Sequence, residues 1–377
     1  MAQGWLSLQL SNNAFIVGLV ASVGALPIVI MSMHAGAFVD RGNRIRIVRI
    51  TQSVMLLQAA ALWACTWLGV ISVPLILALA LVQGMCSAVE IPARQSMIVQ
   101  LVGRDDLLPA IALNSSGYNL ARIIGPAIGG IVIHRLGISW CFGLNAISFV
   151  AVLWGLFIIR LPSPEVVLET RSVRAAYRES TDSAVAGLRH FLQRGPVRDL
   201  LSLVTIGAIF SGSFMTLMPV VARDQLGLGA DGYGGLLASV GIGGLIGALL
   251  IAGPATHWKR GRLMMMTGLA FPVLLIAFAF TKAPNIANIV LLFTGGTMIM
   301  FNALGNGILQ SLVPEQFRGR LMAFYSLLFV GLSQLVGAFM LGAAARFVGV
   351  AWAMSGGAVV SLAFALWTWR SSRLQDL

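Results

Sequence analysis

Eleven times along this chain, apolar residues run on almost unbroken for about twenty positions or more, and that pattern leaves few folds open. Crossing roughly 30 Å of hydrocarbon at about 1.5 Å per residue takes some 20 residues of helix. The runs are residues 13–38, 45–69, 73–99, 106–133, 138–160, 197–222, 230–254, 262–281, 285–310, 317–345 and 348–370. Hydrophobic residues make up 58% of the 377 and charged ones only 10%, more apolar surface than a water-soluble core of this length could hide. Because the runs are continuous instead of alternating in segments of about ten, they predict helices and exclude a barrel. The expected class is an all-α membrane protein.

Basic residues give the orientation, since they stay on the cytoplasmic side. One set of connections carries Arg41, Arg44, Arg46, Arg49, Arg94, Arg104, the 160–198 segment, Lys259, Arg260, Arg262, Arg318, Arg320, Arg370 and Arg373. The other holds only Arg135, Arg223, Lys282 and Arg346. The first set is therefore cytoplasmic, and the net charge of +12 reflects topology and contact with anionic membrane lipids, not nucleic-acid binding. Cys65, Cys86 and Cys141 have no metal or redox spacing and read as small apolar fillers, so no cofactor or metal is expected.

Two charged turns repeat. Gly36 to Arg44 and Gly253 to Arg262 begin 253 − 36 = 217 positions apart, and the pairs Gln95-Ser96 and Gln310-Ser311, each before a charged turn, lie 310 − 95 = 215 apart. The polar stretch around 161–196, with Pro162 and Pro164, separates five spans from six. This predicts an N-terminal bundle over 1–160, a cytoplasmic linker over 161–196 and a C-terminal bundle over 197–377, with a path between the bundles near the midplane. An even division would need a sixth span at the start, where residues 1–10 are too short to cross and lack the basic n-region of a signal peptide. The expectation is a first helix of which only the outer end is present; the alternative is a chain of eleven spans.

Several motifs now add up to a family. Gly36-x-x-x-Asp40-Arg41-x-x-Arg44 resembles the loop signature of the major facilitator superfamily, and Gly117 with Gly125-Pro126-x-x-Gly129-Gly130 resembles the helix-five signature of its proton-coupled exporters. Pro92-Ala93-Arg94-Gln95, Asn114-Ser115 and Asn119-Leu-Ala-Arg122 are similar to the branch that holds the enterobactin exporter and macrolide efflux pumps. The resemblance covers essentially the whole chain, with two departures: His257 stands where an acid would complete the second loop motif, and the first helix is short. It implies a two-bundle fold with eleven full spans plus a remnant of the first, working as a monomer, with a small-molecule substrate and protons as the coupling ion.

The residues carry their own chemistry. Gly36 permits close approach of helices, while Asp40 can complement a helix N-terminus or pair with Arg41, Arg44, Arg94 or Arg320, either latching the halves together or merely capping helices. In the Gly125-Pro126 segment, proline removes one backbone hydrogen bond and Gly129 and Gly130 permit tight packing, as a seal or as a plain kink. Arg122 lies well inside a span, where a charge is costly unless it faces a polar cavity, and so could meet an anionic substrate group or bond across helices. Glu90 is the acid found well inside a span, a candidate proton carrier or a local partner of Arg94. Gln58, Gln83, Asn114, Asn119, Asn145, Asn302, Asn306, Gln310, Tyr325 and Gln334 are candidates to line the path.

No nucleotide-binding loop, His-Glu-x-x-His or nucleophile elbow is present, and the polar loops are too short for a catalytic domain. The resemblance implies export of a siderophore-like or drug-like molecule across the inner membrane by alternating access with proton antiport. A lipid-related flippase, a non-functional truncated transporter and, more remotely, an intramembrane enzyme are the alternatives.

Overall fold

Hydrocarbon offers no partner for a free N–H or C=O, so each span closes its backbone hydrogen bonds within itself. The computed structural model describes residues 1–103, 106–159, 195–253, 258–313, 321–322, 324–325, 327–371 and 374. Among these, twelve helices follow in order: α1 Ala2–Ser11, α2 Ala14–Arg41, α3 Arg44–Trp67, α4 Val73–Val102, α5 Leu107–Leu136, α6 Ile138–Ile158, α7 Gly195–Gln225, α8 Ala230–Ala252, α9 Arg260–Ala279, α10 Pro284–Ser311, α11 Leu327–Val348 and α12 Val350–Ser371. Ten of them are long and apolar enough to cross a membrane, and α5 spans 30 residues. The ten residues of α1 rise only about 15 Å, half of the hydrocarbon thickness.

These helices follow the apolar runs. The sixth long helix is described from Gly195 and α11 from Leu327, with Leu321, Met322, Phe324 and Tyr325 ahead of it also helical; residues 314–320, where the start of this helix is expected, lie outside the described set along with 160–194 of the linker. α7 is irregular: π-type turns at Gly207–Ser211 and Val221–Gln225 flank a tighter 3₁₀ stretch at Gly212–Leu217, and α11 is π-type over Leu327–Gly337.

The ends have local causes. The Asn13 side chain accepts from the Phe15 N–H at 2.9 Å and that of Asn43 from the Arg46 N–H at 3.2 Å, capping α2 and α3. Arg49 donates to the carbonyl oxygens of Leu156 at 2.7 Å and Ile159 at 3.2 Å, closing the end of α6 with the charge its dipole favours. One glycine turns α5 into α6 and one turns α11 into α12: Gly137 and Gly349, at φ 91° and 84°, hold a conformation that side chains resist.

Helix pairing repeats between the two stretches. α2 packs on α4, α3 on α4 and α3 on α6; likewise α8 packs on α10, α9 on α10 and α9 on α12. Two further pairs join the stretches, α2 with α11 and α5 with α8. Large apolar side chains such as Trp154, Phe347 and Leu57 are 69% exposed or more on the outside, as a lipid-facing surface requires. Trp67, Trp140 and Trp352 lie at the outer ends of their helices and Trp154, Trp258 and Trp367 toward the basic side, forming two interfacial belts.

The core is divided unequally. Toward the outer side one continuous cluster draws residues from both stretches, including Trp5, Val17 and Ile133 with Leu217, Leu236 and Leu341. Toward the basic side there are two clusters, one built only from residues up to 156 and the other only from residues 197 onward. Among the described residues the core is thus shared on the outer side and divided on the basic side.

Within each stretch glycine sets the spacing. A Cβ at Gly243 would run into the Leu292 carbonyl on α10, whereas one at Gly155 meets nothing within 4 Å. Gly243→Leu should therefore lower stability by about 1–3 kcal/mol or more through overpacking, and Gly155→Leu should leave it unchanged, as read from thermal unfolding in detergent.

Candidate transport pathway

The outer seam is made by backbones in near contact. A Cβ at Gly18 on α2 would stand 2.5 Å from the Ala338 carbonyl oxygen and 3.0 Å from the Gly342 Cα on α11. On the opposite flank, a Cβ at Gly130 on α5 would stand 2.8 Å from the Ala230 oxygen and 3.1 Å from the Gly234 Cα on α8, while one at Gly234 would meet the Pro126 oxygen at 2.5 Å. Such small-residue faces let helices approach closely in lipid. Trp5 stacks on Tyr233 at 5.5 Å between ring centroids. At the rim, Arg223 donates to the Asn12 side chain at 2.7 Å and to the Leu8 carbonyl at 3.3 Å, and His134 Nδ1 lies 3.6 Å from Asp231 Oδ1.

Beneath the seam lies a cavity of about 530 Å³, within the range that holds small organic ligands. Its wall comes from α1, α2 and α4 on one side and α7, α8 and α11 on the other. Gln3, Gln83 and Gln334 bring amides from three helices, Ser87 and Thr216 add hydroxyls, and no lining side chain is charged. Glycines 24, 84 and 331 keep the wall thin where α2 crosses α4 and α11.

Of the residues singled out in the sequence, Gln83 and Gln334 reach this cavity. Gln58 instead donates to the Leu79 carbonyl between α3 and α4, and Tyr325 is buried against Phe329. Asn145 is exposed on α6, and Asn114 is exposed on the basic-side half of α5. Glu90 is 5% exposed; its Oε1 accepts from Gln52 Nε2 at 3.1 Å and lies 3.5 Å from the Nε of Arg94, one turn further along α4. Arg94 is therefore engaged by Glu90, and the other amide atom of Gln52, Oε1, is buried without a partner among the described residues. Arg122 is exposed at the middle of α5.

Among the glycines of the helix-five motif, Gly130 carries the seam and Gly129 faces the Met1 sulfur and Cys141, while a Cβ at Gly117 or Gly125 would meet nothing within 4 Å. Arg44 is half-buried at the start of α3. The side chains of Asp40, Arg41 and Asn119, the surroundings of Gly36, and all of His257 and Arg320 lie outside what is described. Gln3 was not legible beforehand, because a segment too short to span gave no reason to place it in a cavity wall.

Comparison with known proteins follows the same lines. The family described as transmembrane secretion effector matches residues 1–376. The multidrug efflux pump Tap of Mycolicibacterium fortuitum is 26% identical over 84% of this chain and 78% of its own length. The enterobactin exporter EntS of Shigella flexneri is 25% identical over 85% of this chain and 71% of its own. A point mutant of the nucleoside transporter NupG superposes with a TM-score of 0.77 at 11% identity, covering 98% of this chain and 93% of that one, which speaks to fold alone.

If the glycine contacts close the outer side, Gly130→Leu should part it. In a chain whose native cysteines are replaced, a cysteine at position 83 should then react several-fold faster with an impermeant maleimide added from outside; an unchanged rate would show that the seam does not seal the cavity.

Proposed function

Because the chain belongs to the transmembrane secretion effector family of major-facilitator-type transporters, and is a multi-pass protein of the bacterial inner membrane rather than an enzyme, we propose that it exports a small siderophore-like or drug-like molecule by alternating access. The observation that supports this most is the cavity of about 530 Å³ shared by helices from both stretches and lying between a closed outer seam and a parted inner side. In this reading residues 1–160 and 197–377 move as two bodies joined by 161–196, acting as a monomer. The neutral amides and hydroxyls suit a partly apolar molecule rich in hydrogen-bonding groups, and lining side chains without charge suit a ligand that is neutral where it meets them.

We place the coupling proton at Glu90. It is buried one turn below Ser87 of the cavity wall, and a protonated carboxyl gains an O–H for which the unpaired Gln52 Oε1 is a nearby acceptor. With the proton lost, Arg94 and Gln52 Nε2 stabilise the carboxylate. A group that has partners for both of its charge states can load and unload a proton during a cycle.

Inverted membrane vesicles test this with two probes, ethidium and enterobactin. The expected result is uptake of at least one that depends on an imposed pH gradient, collapses with a protonophore and falls about tenfold or more in Glu90→Gln, while probe binding persists. Uptake indifferent to the gradient would remove proton antiport, and no uptake of either would count against export.

A further inference from the structure

Three amides on α10 have no task in the cavity described above. Asn302, Asn306 and Gln310 recur every fourth residue, so at about 100° per residue they form one stripe down the helix. All three are half-buried, whereas Phe301, Gly305 and Ile308 on the other face close against Val204 of α7 and Met264 of α9. Gln310 Nε2 donates to Asn306 Oδ1 at 2.5 Å, and Asn302 has no side-chain hydrogen bond among the described residues.

Arg122 stands at the head of that stripe. Its Nη2 lies 3.9 Å from the point a Cβ on Gly244 would occupy, and Ile299 Cγ1 lies 2.9 Å from the same point, so guanidinium and Ile299 both approach one glycine, one turn of α10 before Asn302. Side chains lean toward the N-terminus of their own helix. α5 begins on the basic side and α10 on the outer side, so Arg122 leans inward while Asn302 and Asn306 lean outward to meet it.

The surroundings of Arg122 are open. Leu113, Asn114, Ser116, Gly117, Leu120, Arg122 and Gly125 are all exposed, and their directions sweep roughly two thirds of the circumference of α5, more than a lipid face alone accounts for. Along the glycines of α8 the approach to α5 runs from Gly130 and Pro126 through Ile123 at Gly241 to Arg122 at Gly244. Arg122 has no hydrogen bond or ion pair among the described residues, and a cation at this depth is stable only beside water or an anion.

We infer that Arg122 and the α10 amides form a docking site on the cytoplasmic side for a single anionic group, a carboxylate, phenolate or sulfonate, on the molecule to be exported. The guanidinium fork pairs with the anion and the amides take the neighbouring hydroxyl or ester groups. The neutral remainder of the molecule then lies toward the cavity of Gln3, Gln83 and Gln334. Among the described residues Arg122 is the cation at this point, so the site is suited to a monoanion rather than a polyanion. The inference rests on the export reading and adds the charge of the substrate to it.

A matched pair of probes separates the two. Binding of the monoanion 8-anilinonaphthalene-1-sulfonate and of neutral N-phenyl-1-naphthylamine to the full chain in lipid nanodiscs is followed by energy transfer from tryptophan, against empty discs. Arg122→Gln should weaken the sulfonate about tenfold and leave the neutral probe unchanged, Arg122→Lys should recover part of the loss, and Asn302→Leu should weaken the sulfonate several-fold. Equal loss of both probes, or loss of neither, would overturn the site. If wild type binds only the neutral probe, the anion site falls and the export reading stands; if it binds neither, both fall.

Discussion

What the molecule depends on is how closely two helix backbones can approach in lipid. Apolar side chains gain little from meeting one another in hydrocarbon, so association there relies on close packing. At Gly18 against Ala338 and Gly342, and at Gly130 against Ala230 and Gly234, no side chain intervenes and whole helix surfaces come into contact. Those two seams allow a core cluster to form across both stretches on the outer side, beside a smaller one built from the first stretch alone. On the basic side the described residues fall into two clusters, one from each stretch. A contact of this kind is extensive yet free of deep interlocking, which suits a surface that must separate and re-form.

Placement of charge follows from the same medium. The cavity wall holds amides and hydroxyls, which are cheap to leave facing water and useful to a ligand. Glu90, nearly fully buried, is held by Gln52 and Arg94, because an unpaired carboxylate there would be too costly. Arg122 is tolerable for a different reason, its exposure at the middle of α5. Two ionisable groups at comparable depth thus have different surroundings, and the distinct roles proposed for them, proton and substrate, come from that difference.

Much of the architecture was legible because hydrocarbon thickness fixes the length of a span, and where their ends are described the eleven apolar runs coincide with helices to within a few residues. Arg122 and Glu90 were visible as charges inside spans, and the four-residue spacing of Glu90 and Arg94 announced their pairing. Gln52 was not visible, since contact between α3 and α4 is a matter of register that one sequence does not show. Nor were Gly18 and Gly342: among 42 glycines, nothing local marks those that touch another helix. Gly125 and Gly130 belong to one motif yet only the second meets α8, which depends on the rotation of α5 about its axis. Gln3 was hidden because α1 derives its position from packing of Trp5 and Leu8 and not from its length.

Alternation of access is the central claim, and distances across the two rims measure it. Spin labels at positions 135 and 228 report the outer rim, and labels at 114 and 249 the inner one, in a chain with its three cysteines replaced. The account predicts, under native lipid conditions with substrate or a pH gradient, a second population in which the outer distance lengthens as the inner one shortens. A single short outer distance and a single long inner one under every condition would contradict it.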